Sequence, residues 1–361
     1  MASAAMRGRG ILLAGIILAI AGYWWLAPHS PKVLAVAYVA DRRVTLWSTL
    51  AQVRQPVAVL RRGNRVEVVR EEGTAAQVRS PAGQLGWLLD ARQLVDSAVW
   101  QQGEELLARA LSLPPQAHGR TRTVSNVRLE PGRGGARIFQ FPRGTPVVVL
   151  ERGVAETAPP EDTPADQPSA DAPPVKREDW LLVLSDGVAA AGATSSPGFA
   201  GAAVAAEPAD SPGGSKAAPV AGWVLGRFIE LDLPEAVSGY LNSSAMRAVA
   251  WFELNRVPDG SGGEAPQFLV ATTRGDEGQP CDFTGVRVYT WGAARRRYET
   301  AYVENGLCGK LPVLVSQSAA GPEFRFAGTD PASGERTYVM RQTRVRRVRQ
   351  PVSPPSTTRS R

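Results

Sequence analysis

The chain says nearly the same thing twice, and that restricts its fold more than any other feature. PVAVLRRGNRVEVVREEG, Pro56 to Gly73, returns as FPRGTPVVVLERG at Phe141 to Gly153. GWLLDARQLVD, Gly86 to Asp96, returns as GWVLGRFIELD at Gly222 to Asp232. Ahead of the first set stands RRVTLW, Arg42 to Trp47, and ahead of the second stands SNVRLE, Ser125 to Glu130. Three matches in one order predict a duplicated domain rather than a chance likeness of strands.

Each copy reads as short strands. In the first they are Val44 to Trp47, Val57 to Leu60, Arg65 to Arg70, Gln77 to Arg79 and Gly86 to Leu89. Arg62-Gly63-Asn64 and Arg143-Gly144-Thr145 put glycine where a tight turn needs positive φ, directly before a β-branched run. Leu89 to Val95 offers one short helical turn. Five short strands cannot make a broad open sheet with a good core, so a small closed barrel is expected.

VTLWS, PVAVLRRGNRVEVV and GWLL together resemble bacterial SH3-like (SH3b) domains: the opening strand, the second and third strands, and the closing G-W-V strand. The resemblance covers Tyr38 to Asp96 and, in three pieces, Thr121 to Asp232. Trp47 stands where the family usually has arginine, and Ala75-Ala76 where many members have tryptophan. Similarity to this family implies binding of cell-wall polymer (peptidoglycan) or of an envelope protein. The tryptophans implied as ligand-binding are Trp47, Trp87, Trp180 and Trp223.

The copies differ in length. Gly63 to Gly86 spans 23 steps, whereas Gly144 to Gly222 spans 78. The added residues fall at 154–178, rich in proline and acid, and at 188–220, rich in alanine, glycine, proline and serine; both are expected to be disordered insertions. Between the copies, Ser97 to Leu113 predicts a helix with Trp100, Leu107 and Leu111 on one face. His118 then sits in a linker.

Beyond Pro234 alternating strands and glycine turns predict a separate all-β meander, with hairpins of Arg247–Leu254 with Gln267–Thr273 and of Glu323–Ala327 with Arg336–Gln342. Tyr289, Trp291, Tyr298 and Tyr302 form an aromatic cluster there. They stack on a ligand or on each other; cross-strand aromatic pairs alone stabilise sheets by about 0.2 to 1 kcal/mol each.

MASAAMRGRG precedes seventeen uncharged residues, Ile11 to Ala27, ending in Tyr23, Trp24 and Trp25. Such a run is at the lower limit for crossing a bilayer, and its aromatic end suits an interfacial belt better than a cleavage site. Arg7 and Arg9 place the N-terminus in the cytoplasm and the remainder in the periplasm or outside the cell. Cys281 and Cys308, the only cysteines, then have an oxidising compartment in which to pair, with two buried free thiols as the alternative.

The net charge of +7 invites a nucleic-acid reading, but Arg341 to Arg361 holds seven arginines and no acid. Without it basic and acidic residues balance at 34 each, so nucleic acid is not an expected partner. Two histidines, and no C-x-x-C, H-E-x-x-H or G-x-S-x-G, argue against metal sites and the common hydrolase nucleophiles.

The expectation is a mainly β chain. A cytoplasmic stub and signal anchor (1–32) is followed by two SH3b-like barrels (33–96 and 119–234), joined by a helical linker (97–118). An all-β domain (235–343) and a basic disordered tail (344–361) complete it. Expected function is non-enzymatic: an inner-membrane protein, anchored through residues 11–27, that binds cell wall or a protein partner, without cofactor or metal. The alternative is a scaffold or sensory subunit of a membrane complex, with a wall hydrolase a further contrast.

Overall fold

The computed structural model describes residues 32–157, 176–185, 218–329 and 334–348. The anchor expected at 11–27 lies outside them, and among the described residues no helix is long and apolar enough to cross a membrane. The chain divides into two compact units, 1–96 and 97–361.

The first unit is one antiparallel sheet of seven strands: β1 (Ala35–Val39), β2 (Arg43–Trp47), β3 (Pro56–Arg61), β4 (Arg65–Glu72), β5 (Ala75–Arg79), β6 (Leu85–Leu88) and β7 (Leu94–Asp96). Their spatial order is β3-β2-β6-β5-β4-β1-β7. Period-two alternation builds it: Val44, Leu46, Leu60, Val66, Val68, Val78 and Leu88 all point into one core, so the sheet bends around its own inner face. Gly63 makes the β3–β4 turn at φ 83°, and Gly144 repeats it at φ 78°. Leu89 to Val95 is not a helical turn throughout. Ala91–Gln93 makes a 3-10 turn, and Leu94–Asp96 then extends, because β1 offers it an antiparallel partner.

The second unit opens with α1 (Ser97–Ser112) and repeats the sheet: β8 (Ala117–Thr121), β9 (Ser125–Arg128), β10 (Arg137–Phe141), β11 (Pro146–Glu156), β12 (Arg177–Ser185), β13 (Val220–Leu225) and β14 (Ile229–Leu231). The order β10-β9-β13-β12-β11-β8-β14 is that of the first sheet, strand for strand. Pairing moves the register of the repeat by two residues from the textual match. Trp223 faces Arg128 as Trp87 faces Trp47, so Trp47 corresponds to Arg128 and Leu46 to Val127. The glycine of each G-W pair explains the register: a Cβ on Gly86 would lie 2.8 Å from the Leu46 Cβ, and one on Gly222 would meet Val127. Glycine is required where the neighbouring strand's core side chain sits on the backbone.

Several boundaries differ from the sequence expectation. His118 lies in β8, not in a linker, because Ala117–Thr121 pairs with both β11 and β14. The insertions are shorter than 154–178 and 188–220: Val154 to Glu156 extend β11 and pair with Arg177 to Asp179 of β12, and Val220 begins β13. Residues 158–175 and 186–217 lie outside the described residues. The packed face of α1 is Gly103 and Ala110, buried, with Leu106 and Leu107 half-buried, while Leu111 is exposed.

A helix not anticipated, α2 (Glu235–Ser243), leads into the third sheet: β15 (Arg247–Pro258), β16 (Glu264–Thr273), β17 (Phe283–Gly292), β18 (Arg297–Ser318), β19 (Gly321–Gly328), β20 (Glu335–Arg341) and β21 (Arg344–Val348). Its order is that of the sequence, a meander, curved around a core of Leu254, Leu269, Phe283, Val288, Phe324, Phe326 and Tyr338. Arg344 to Val348, expected to begin a disordered tail, form its edge strand, since Val345 pairs with Met340 over the core. Residues 349–361 lie outside the described residues. Cys281 and Cys308 are joined in a disulfide, with Cα atoms 4.8 Å apart, tying the segment before β17 to β18.

Candidate binding surfaces

Strand register places one row of side chains across the outer face of the first sheet. Arg70 pairs with Gln77, Gln77 with Trp87, Trp87 with Trp47, and Trp47 with Pro56. Residues paired across strands share a face, so the row runs over five strands. Both indoles are half-buried. The Arg54 guanidinium lies 5.1 Å from the Trp47 ring centroid, and that of Arg70 lies 5.8 Å from Trp87. Cations at these distances are drawn to the ring quadrupole. Arg70 also pairs with Glu72 at 3.1 Å, with both groups more than half exposed, and such pairs contribute little.

The corresponding row of the second sheet is Glu151, Leu182, Trp223, Arg128 and Arg137. It is not open. Leu106, Leu107 and Ala110 of α1, with Leu113 just after it, pack against Trp180, Leu182, Trp223 and Leu225, and Arg109 of the helix forms an ion pair with Glu151. Trp180 and Trp223, expected as ligand-binding residues, are core, 3% and 8% exposed. That double coverage explains why β13 is buried at every position while its counterpart β6 alternates.

In the third sheet Tyr289 is 1% exposed, covered on the outer face by Val237 and Leu241 of α2. Trp291 and Tyr298 meet edge to face with centroids 5.3 Å apart, and the Trp291 indole N–H donates to the Asp259 carbonyl at 3.0 Å. The expected cluster is therefore divided: Trp291 and Tyr298 stack on each other, Tyr289 packs against Tyr240 of α2, and Tyr302 packs on the core beside Tyr338. Tyr302 donates to Glu304 at 2.6 Å; burial and that carboxylate push its phenol well above its usual range, and burial with the same carboxylate pushes Tyr338 up to about 12.

Second and third sheets meet over a polar joint that sequence reading missed. The Arg152 guanidinium, 5% exposed, reaches Asp179 at 2.6 Å and Asp282 at 3.0 Å, and donates to the Gln279 carbonyl at 2.9 Å. Gly278 N–H donates to Asp179 and Leu311 N–H to Asp282, so both carboxylates are further satisfied. Gln116 accepts from Val313 N–H at 2.7 Å through its side chain and from Trp251 N–H at 3.0 Å through its carbonyl. Glu178, buried, takes a forked pair of hydrogen bonds from Arg133 at 2.9 and 2.8 Å and one from Arg227 at 2.9 Å. The Arg133 bonds above all hold its carboxyl at about 2. Partners from 27 to 197 positions apart carry no local signature, so no sequence period could have found them.

A cleft of about 450 Å³ opens beside this joint, lined in part by Arg152, Arg177, Pro280 and Lys310. Its charges are paired internally, Arg177 with Glu156 and Lys310 with Asp282. Among the described residues no group of three His, Cys, Asp or Glu is placed to hold a metal ion.

Fold and site together define a mainly β protein with a duplicated seven-stranded antiparallel unit, one copy presenting an aromatic and cationic face, and a third seven-stranded meander. Comparison with protein-family models, with curated proteins and with solved structures finds no match to this chain.

Proposed function

We propose that this is a non-enzymatic, membrane-anchored envelope protein whose SH3b-like copies are specialised differently, the first for binding and the second for support. The supporting observation is the row Arg70, Gln77, Trp87, Trp47 and Pro56, with half-buried indoles at its centre and cations at its rim, against a corresponding row that α1 covers. Aromatic side chains with a polar rim supply contact area at low entropy cost. Residues 11–27 hold the chain at the inner membrane with its sheets on the periplasmic or outer side. The ligand is cell-wall polymer or an envelope protein.

Retention of the detergent-solubilised full chain on purified cell-wall sacculi tests the wall-binding form. Retention that falls at least about tenfold in Trp47→Ala and Trp87→Ala supports it, matching the loss of a central aromatic contact; no retention of the parent chain removes it. The joint at Arg152 and Gln116, which fixes the second sheet to the third, favours a second reading as a scaffold subunit of a membrane complex. Crosslinking in native membranes, with capture of the same partner in repeated preparations, is the measurement for that reading.

A further inference from the structure

The second copy shows how this outer face is used when it is filled. A helix lies over β12 and β13, its apolar side on Trp223 and Leu182, and its Arg109 pairs with Glu151 at the end of the row. The register makes Glu151 the counterpart of Arg70, and Trp223 the counterpart of Trp87. Charge at that end is therefore inverted between copies while the tryptophan is kept. The third sheet repeats the device, since α2, which precedes it, covers its outer face at Phe268 and Tyr289.

Resting on the reading of the first sheet as the binding copy, we propose that its occupant is an amphipathic helix of a partner protein, bearing a carboxylate where Arg109 stands in α1. Helices of this kind dock through apolar anchors spaced three and four residues apart. Arg70 and Arg54 call for the acid: Arg70 has only the exposed Glu72, and Arg54 has no carboxylate partner among the described residues. Residues 1–31, which precede the first sheet as α1 and α2 precede theirs, contain no Asp or Glu, so they do not supply the complementary charge. Both α1 and α2 are already seated on their own sheets. The first face is also more polar than the second, with Gln77 where the second has Leu182 and the Glu67–Arg79 pair where it has Val148 and Leu184. A helix that comes and goes fits that composition better than a permanent one, because desolvating these groups offsets part of the apolar gain.

The probe is a labelled synthetic peptide of residues 97–113, made with and without Arg109→Glu and titrated by fluorescence anisotropy against the detergent-solubilised full chain. The glutamate peptide binds tighter than the arginine peptide by about threefold or more, the size an exposed ion pair supports. Arg70→Glu reverses the preference, and Trp87→Ala abolishes binding of both. A preference unmoved by Arg70→Glu, or no binding of either peptide, overturns the helix. Sacculus retention that depends on Trp87 while neither peptide binds would end this inference and leave the binding surface standing. Failure of both assays would end both.

Discussion

The two sheets of the duplication share strand order, turn glycines and the G-W pair, yet they put the same tryptophan to opposite uses. Trp223 is a core residue under α1, flanked by Leu182, Trp180 and Leu225. Trp87 is a surface residue with Gln77 and Arg70 on one side and Trp47 on the other. Sheet formation needs only the inner face, where Val, Leu and Ala alternate in both copies. The outer face is then free to diverge, and a helix or a ligand decides what it becomes. A fold duplicated with one face uncommitted yields one copy whose outer row is covered by a helix and one whose tryptophans stay partly exposed, in the same strand order.

Truncating the paired tryptophans should break this symmetry most visibly. Trp223→Ala is expected to destabilise the second unit by about 3 to 5 kcal/mol, as for other buried aromatic truncations. Trp87→Ala should cost about 1 kcal/mol or less in its own unit, as a change at a partly exposed site does. Chemical denaturation followed by hydrogen exchange at β13 and β6 amides compares the two, and equal losses would contradict the assigned coverage.

A similar contrast holds for charge. Arg152 and Glu71 are counterparts by register, but the first is buried between Asp179 and Asp282 and the second is exposed. Arg152→Met removes the buried cation that the two carboxylates share, leaving Asp282 only Lys310 and Asp179 only Arg247 at 4.0 Å, and about 3 kcal/mol of destabilisation is expected. Glu71→Gln should change stability by no more than about 0.5 kcal/mol. The same denaturation curves read both.

The smallest of the three effects is a pH dependence confined to the second unit. Glu178 titrates near 2 in the folded chain against an ordinary value of 4.5. A carboxyl with a depressed folded value adds stability above its unfolded value and loses it as pH falls. The contribution, on the order of 2 kcal/mol after allowing for the exposed Arg133 and Arg227, should fade between about pH 4.5 and pH 2. Glu178→Gln should flatten that stretch of the curve, and an unchanged slope would count against the Arg133 and Arg227 bonds.

Much of the fold was legible in the chain. Five strands of the first sheet, the helix starting at Ser97 and the third region's main hairpins stand close to where alternation and turn chemistry put them. The misses have one physical origin. β1, β7, α2 and β21 are short or weakly patterned, and each is held by a partner supplied from elsewhere: β4 and β7 for β1, the β16–β17 outer face for α2, Met340 for Val345. The two-residue shift of the repeat was hidden because Val44 and Val127 look alike as letters, whereas only backbone pairing shows that Gly222 needs Val127 where Gly86 needs Leu46.

The candidate site was half legible. Tryptophans stand out as letters, and Trp47 and Trp87 do lie together, but Trp180, Trp223 and Tyr289 look no different in the text and are core. Arg70, Gln77 and Pro56 carry no sign of a binding row in the text. They join the row because pairing brings five strands into line.

The sequence by itself determined the duplication, the inner-face alternation and the glycines at the turns, since these depend on residues a few positions apart and on backbone sterics. Tertiary structure alone decided which copy would be covered, which tryptophan would stay at the surface and which charges would be buried together. Those outcomes depend on contacts between segments far apart in the chain, where burial and Coulomb energy act on positions in space and local pattern has no say.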